Sequence, residues 1–295
     1  MESRIIVFIM LIATGFLLQI LSEKLRIERI FSRAINSAFN FVYYVLIPLA
    51  FIKTYAERML SINDLCIVAS VLVMVFSIYL SMKITVRGLD EKLWNSLFIT
   101  SCFPNAIFLG FPISLIFFGS INVASTYGLV MLILNILVPD FIAIKKIDWK
   151  RVLKLPALLG FIIGVSTRLV MKSNVFIIVN TLNWSPTLLS YTATILLGCR
   201  LPLKTINLPN KTRFIIITGI YRFLFAPLIS LIVALIFEID YEVAKQIILV
   251  SSMPPAVLNT LVAHRYGWFD ELVAYSTVIL TFISLALYTA IILLF

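Results

Sequence analysis

Charge, histidine and cysteine are all scarce in this chain. Of its 295 residues 13% are charged, one is histidine and three are cysteine. The lone histidine, His264, cannot build a metal site with those cysteines, and no CxxC pair is present, so no metal is expected. Cys66, Cys102 and Cys199 fall within apolar runs and read as small packing residues rather than a disulfide framework. Acids number 14 against 24 bases, and they form no cluster along the chain. A membrane enzyme would need a nucleophile and base or a set of metal ligands, and neither is on offer. The same poverty argues against a sodium/proton exchanger built on paired carboxylates. No enzymatic activity and no cofactor are expected.

What remains is largely apolar. Hydrophobic residues make up 61% and the mean hydropathy is +1.07, a composition of the membrane class. A helical span needs roughly 20 apolar residues to cross a hydrocarbon core of about 30 Å. Ten runs qualify, near 5–21, 34–52, 64–82, 94–118, 123–144, 153–171, 176–203, 213–237, 244–263 and 270–294. The first lacks a small-residue cleavage site and is expected to be retained. The expected fold class is therefore an all-α membrane protein with ten transmembrane helices and no soluble domain.

The net charge of +10 sits in loops between the runs, which points to membrane-flanking charge and away from nucleic acid. Seventeen of the 24 basic residues fall in the loops that follow odd-numbered runs. Six fall on the other side, Lys172 among them, and Arg222 lies within a run. By the positive-inside rule the odd loops are cytoplasmic and both termini face away from the cytoplasm, in a multi-pass protein of the plasma membrane. Trp94, Trp149, Trp184 and Trp268 stand at or near run ends, where interfacial aromatics belong.

Two runs carry matching interruptions. The stretch SCFPNAIFLGFP (Ser101–Pro112) is followed, at an offset of 150, by SSMPPAVLNTLVA (Ser251–Ala263). Ser101, Pro104 and Ala106 fall opposite Ser251, Pro254 and Ala256. Five spans per half is an odd number, so the second half would enter the membrane inverted. Residues 1–148 and 149–295 thus read as a 5+5 inverted repeat in a single membrane domain, with broken helices 4 and 9, the pattern of a secondary transporter.

Proline lacks an N–H and clashes with the carbonyl one turn back. Pro104, Pro254 and Pro255 would free backbone groups at mid-membrane, which is tolerable only inside protein or beside a wet cavity. Half-helix N-termini there would favour an anion. Asn105 and Asn259 add amide donors and acceptors, and Gly110 permits close backbone approach. Arg222 lies too deep to snorkel easily; it meets a substrate carboxylate or acidic partner, or it is structural and held by backbone carbonyls. Asp140, beside Pro139, is either a coupling-proton carrier or an interfacial partner of Lys145 and Lys146. Gly160 and Gly164 form a GxxxG that reads as close helix packing.

FPNAIFLGFP (Phe103–Pro112), IPLAF (Ile47–Phe51) and MPPAVLNTLVAHRYG (Met253–Gly267) resemble the auxin efflux carrier family, which includes plant auxin exporters and microbial carboxylate permeases. The resemblance covers nearly the whole chain. The plant exporters' long middle loop is absent. Ile107 stands where the family often has glycine, and Leu258 where it usually has asparagine. The resemblance implies a fold similar to bile acid/sodium symporters and sodium/proton antiporters. It also implies that Pro104 and Asn105, with the prolines of run 9, form a crossover that binds the substrate carboxylate. The expected partners are a small organic anion and the lipid bilayer, with a homodimer and a proton or sodium coupling ion left open. The nearest rival is a sodium-coupled organic anion symporter of the bile acid type.

Overall fold

A computed structural model describes residues 2–171, 175–200 and 211–294. Lys172 and Lys204, which enter the charge count, lie outside the described residues. Among those described, the backbone is helical apart from connections and one isolated antiparallel bridge, Pro104 with Pro255.

The first half contains α1 (Glu2–Lys24), α2 (Glu28–Phe41), α3 (Ile47–Glu57), α4 (Ile62–Thr85), α5 (Glu91–Cys102), α6 (Gly110–Phe118) and α7 (Asn122–Ile144). A short α8 (Trp149–Leu153) leads into the second half. There follow α9 (Pro156–Met171), α10 (Val175–Thr181), α11 (Ser185–Gly198), α12 (Lys211–Ile220), α13 (Ala226–Ile236), α14 (Tyr241–Ser251), α15 (Leu258–Arg265) and α16 (Asp270–Leu294). A π turn, Val42–Leu46, joins α2 to α3, and another, Tyr221–Phe225, joins α12 to α13. Each immediately precedes a helix with proline at its start, Pro48 or Pro227, where the missing N–H already loosens the ladder.

Six described helices are long and apolar enough to cross a membrane: Ile6–Lys24, Glu28–Glu57, Ile62–Thr85, Asn122–Ile144, Lys211–Ile236 and Asp270–Tyr288. The other four expected runs are shorter or divided. The run at 153–171 is the 16-residue α9. The run at 176–203 is cut between α10 and α11, because Pro186 supplies a preset φ in the first turn of a new helix. The runs at 94–118 and 244–263 break at their prolines. Isolated aspartates serve as helix starts: Asp90 accepts from Leu93 N, Asp148 from Lys150 N, and Asp240 from Glu242 N and Val243 N.

Lipid offers no hydrophobic drive for helix association, so close packing must supply it. Glycines provide that approach twice. α1 lies on α11, where a Cβ on Gly15 would stand 2.2 Å from Ile195 O and one on Gly198 2.3 Å from Ile12 O. α9 lies on α3, where a Cβ on Gly160 would stand 2.5 Å from Pro48 O and one on Gly164 2.8 Å from Ile52 O. The Gly160–Gly164 pair is thus spent inside the chain. Around Phe98, Phe103, Phe111 and Tyr127 a continuous apolar core joins α4, α5, α6 and α7 to the second half. Large apolar side chains such as Leu169, Val170, Phe176 and Leu235 point outward, as a lipid-facing surface requires.

The glycine contacts set a stability test. Gly160→Ala and Gly15→Ala each force two backbones apart, and overpacking of this kind costs about 1–3 kcal/mol. At Gly219 the added carbon would meet Leu280 Cδ2 at 3.3 Å, a side chain that can move. Thermal unfolding in detergent should show Gly160→Ala and Gly15→Ala melting well below wild type and Gly219→Ala close to it. Equal melting of all three would contradict the close-approach account.

Candidate functional site: a helix crossover around a buried arginine

The chain breaks after α5 and again after α14, and the two broken segments cross. Asn105 N–H donates to Pro254 O at 2.7 Å, and Ala256 N–H donates to Phe103 O at 2.9 Å. These two bonds flank Pro104 and Pro255, which face each other as the pair of an antiparallel ladder that exchanges no hydrogen bond. Proline fits that position because no N–H is called for there. The facing residues are 104 and 255, one step away from the pairing that the offset of 150 suggests.

Both helices end at the crossing with carbonyls that have lost their next turn. Arg222, fully buried in the π turn of the eighth run, collects them. Its Nε donates to Met253 O at 3.0 Å, and its Nη1 to Ser101 O at 3.2 Å and Cys102 O at 3.0 Å. Nη2 donates to Ser251 O. Each helix C-terminus carries the equivalent of about −0.5 charge, so two of them balance roughly one guanidinium. Arg222 therefore has backbone partners on both broken helices, and no carboxylate touches it among the described residues. Asn259, also fully buried, caps the same end of α5: its Nδ2 donates to Ile99 O at 3.1 Å and Phe103 O at 3.0 Å.

The start of α15 borders a small cavity, about 50 Å³, lined by Pro104, Asn105, Asn135 and Leu258 with the aromatic rings of Tyr43 and Phe108. Phe108 stacks on Phe39 with ring centroids 4.6 Å apart. Asn105 and Asn135 are each 3% exposed. Among the described residues, Asn105 Nδ2 and Asn135 Oδ1 have no hydrogen-bond partner. A wider cavity of about 320 Å³ shares Tyr43, Asn135, Leu258 and Leu261 with it and carries Arg151, Lys154 and Arg265.

Of the residues singled out in the sequence, Pro104 and Asn105 line the small cavity. Pro254 and Pro255 form the bridge that holds it. Gly110 opens α6, and its N–H goes to Asn105 O at 3.0 Å. Asn259 and Arg222 turn toward the broken carbonyls. Asn135 was not among the expected site residues, although an amide in the apolar run LVMLILNILVP of α7 is the kind of signal that marks a site within a membrane.

Two ion clusters lie apart from the crossover. Asp140, fully buried, accepts from Arg151 Nη1 at 2.5 Å and from Tyr266 Oη, and from Asp148 N–H at 3.2 Å. Its cation is Arg151 rather than Lys145 or Lys146. Burial, reinforced by the bond to Asp140, pushes the Tyr266 phenol above its ordinary value and keeps it a donor. The second cluster places Asp64 as another buried acid, held bidentately by Arg58 at 2.7 and 2.8 Å and by Thr126 Oγ1 at 2.8 Å. His264 pairs with Asp270 at 2.6 Å on an exposed surface.

Broken helices that cross inside an apolar all-helical chain define a class, the membrane transport proteins. The chain belongs to the auxin efflux carrier family, a family of transporters: the family model described as membrane transport protein matches residues 138–293, a little over half of the chain. That stretch contains Asp140, Arg222 and the second broken segment, and it stops short of the first. No curated protein matches the chain. The protein is thus a multi-pass membrane protein.

The carbonyl cage around Arg222 predicts how the protein fails without it. Losing a buried hydrogen bond to a charged donor costs on the order of 1.5–3 kcal/mol, because the carbonyls stay buried without partners. Arg222→Gln should lower the melting temperature of the ligand-free protein sharply. Arg222→Lys keeps the charge but cannot reach four carbonyls with a fork, and should fall between. A ligand-free Arg222→Gln that melts with wild type would refute the cage as a stabilising element.

Proposed function

We propose that the protein carries a small organic anion across the plasma membrane by alternating access around the crossover. The observation that carries the reading is the separation of polarity at the crossing. The negative helix ends are gathered on Arg222, while the start of α15 and Asn105, whose amide N–H has no partner among the described residues, border the cavity. A site of this make suits an anion. The adjoining cavity, whose wall carries Lys154 and Arg265 beside the Asp140-paired Arg151, supports the same sign, since basic walls raise the local concentration of an anionic ligand. In this reading Pro104, Asn105 and Gly110 on one segment, and Pro254, Pro255 and Asn259 on the other, shape the anion site. Arg222 serves it by holding both segments in register.

The reading includes a ten-span, 5+5 inverted repeat over residues 1–148 and 149–295. Two features support it. α1 packs on α11 as α9 packs on α3, the exchange expected if runs 1 and 2 correspond to runs 6 and 7. The bridge at Pro104 and Pro255 has its two hydrogen bonds related by the same exchange. The glycine-tight set α1, α3, α9 and α11 would form the frame, and the helices around the crossover would move against it. The termini face outward on the charge count, with the bilayer and the anion as partners and no nucleic acid. Coupling to a proton or sodium ion, and a homodimeric assembly, are not needed by the reading. Asp140 is engaged by Arg151 and Tyr266, so any coupling role would require that cluster to open.

Purified Asn105→Ala should melt like wild type yet lose both the thermal shift produced by small carboxylates and their uptake into proteoliposomes. Uptake at the wild-type rate would remove Asn105 from the site. Orientation has its own test. Membrane-impermeant thiol labelling of intact cells should reach a cysteine placed at either terminus and miss one placed at Lys150. The reverse pattern would overturn the proposed topology.

A further inference from the structure

The orientation of one buried amide follows from the break in α5. Asn259 Nδ2 donates to both Ile99 O and Phe103 O, so both its N–H bonds point to α5. Its Oδ1 must then face the other way, and there it accepts from Asn135 Nδ2 at 2.9 Å. That bond fixes the second amide in turn. Turned over, Asn135 would set its own oxygen against Asn259 Oδ1, two acceptors in contact. Asn135 lines the cavity, and the atom the relay leaves over, its acceptor Oδ1, is buried with no partner among the described residues. Asn105, whose Nδ2 is likewise buried without a partner among the described residues, lines the same cavity.

We propose that Asn135 is a specificity-determining residue of the carrier: its Oδ1 selects cargo that bears an O–H or N–H donor close to the acid group met by Asn105. The inference rests on the carrier reading and goes beyond it by assigning a second polar requirement. A carboxylate with no such donor would engage Asn105 and leave the Asn135 oxygen buried and unsatisfied. A cargo with a second acceptor at that place would be repelled by it. Sites built to hydrogen-bond a ligand group reject analogues that lack it more strongly than apolar pockets reject a change in size. The relay also explains why Asn259, committed to backbone carbonyls, still bears on selectivity. It acts as a positioning residue through Asn135.

The test uses pairs of carboxylates matched in length and differing by a hydroxyl or N–H replaced with a methylene or hydrogen. Thermal shift and competition for uptake in proteoliposomes give a preference ratio for each pair. Wild type should favour the donor-bearing member of the preferred pair by about tenfold or more. Asn135→Leu should bring that ratio toward one while binding still depends on Asn105. Should Asn135→Leu fail to fold, Asn135→Thr is read the same way, since a hydroxyl that can donate as well as accept relaxes the selection. A wild-type ratio near one across all pairs, or a ratio that persists in the Asn135 variant, would overturn the proposal. If carboxylates bind with Asn105 dependence but without donor preference, the carrier reading stands and the assignment to Asn135 falls. If no carboxylate of either kind shifts wild type, the anion reading fails and takes this inference with it.

Discussion

One guanidinium holds two helix ends that would otherwise repel. α5 and α14 run into the crossing with their carbonyl ends forward, and two negative dipole ends do not approach each other in a low-dielectric interior without a cation between them. Arg222 is that cation, donating to the carbonyls of Ser101, Cys102, Ser251 and Met253. The rest follows from it. With the helix ends fixed, the broken segments can exchange the two hydrogen bonds around Pro104 and Pro255. With those bonds made, Asn105 is carried into the cavity wall and Asn259 comes within reach of Ile99 and Phe103.

Polar groups are expensive here, and the molecule uses each where a backbone rule has been broken. Asn259 repairs the end of α5. Asp90, Asp148 and Asp240 start helices. Buried acids come with cations, Asp140 with Arg151 and Asp64 with Arg58. Several buried polar atoms lack a partner among the described residues, and two of them, amide atoms of Asn105 and Asn135, belong to residues that line the crossover cavity.

Much of the frame could be read from the chain. Long apolar runs give α1, α4, α7 and α16 because lipid imposes length and hydropathy directly. The prolines at 104 and 254–255 announce broken helices because the reason is local to each residue. The Gly160–Gly164 spacing announces a close contact. Arg222 was legible as an anomaly but not in its function, since its partners are carbonyls, which every residue possesses and no sequence pattern marks. Pro186 hides a helix start inside an apolar run, because hydropathy takes no account of φ. Asn135 carries a signal as an amide in an apolar run, but its bond to Asn259, 124 positions away, has no trace in the chain. The pairing of 104 with 255 depends on how two segments cross, and a linear offset carries no such information.

The π turns at Val42–Leu46 and Tyr221–Phe225 have a consequence for how this chain is compared with any other. Each is a helix that has absorbed one surplus residue without ending. Every side chain beyond it is rotated by about 100° from the face that unbroken periodicity would assign. An alignment drawn without a gap at these turns would set the buried Phe51 or Ser230 beside residues that look toward lipid. The surplus residue works as a silent frameshift in three dimensions: the letters stay in step while the faces they address do not.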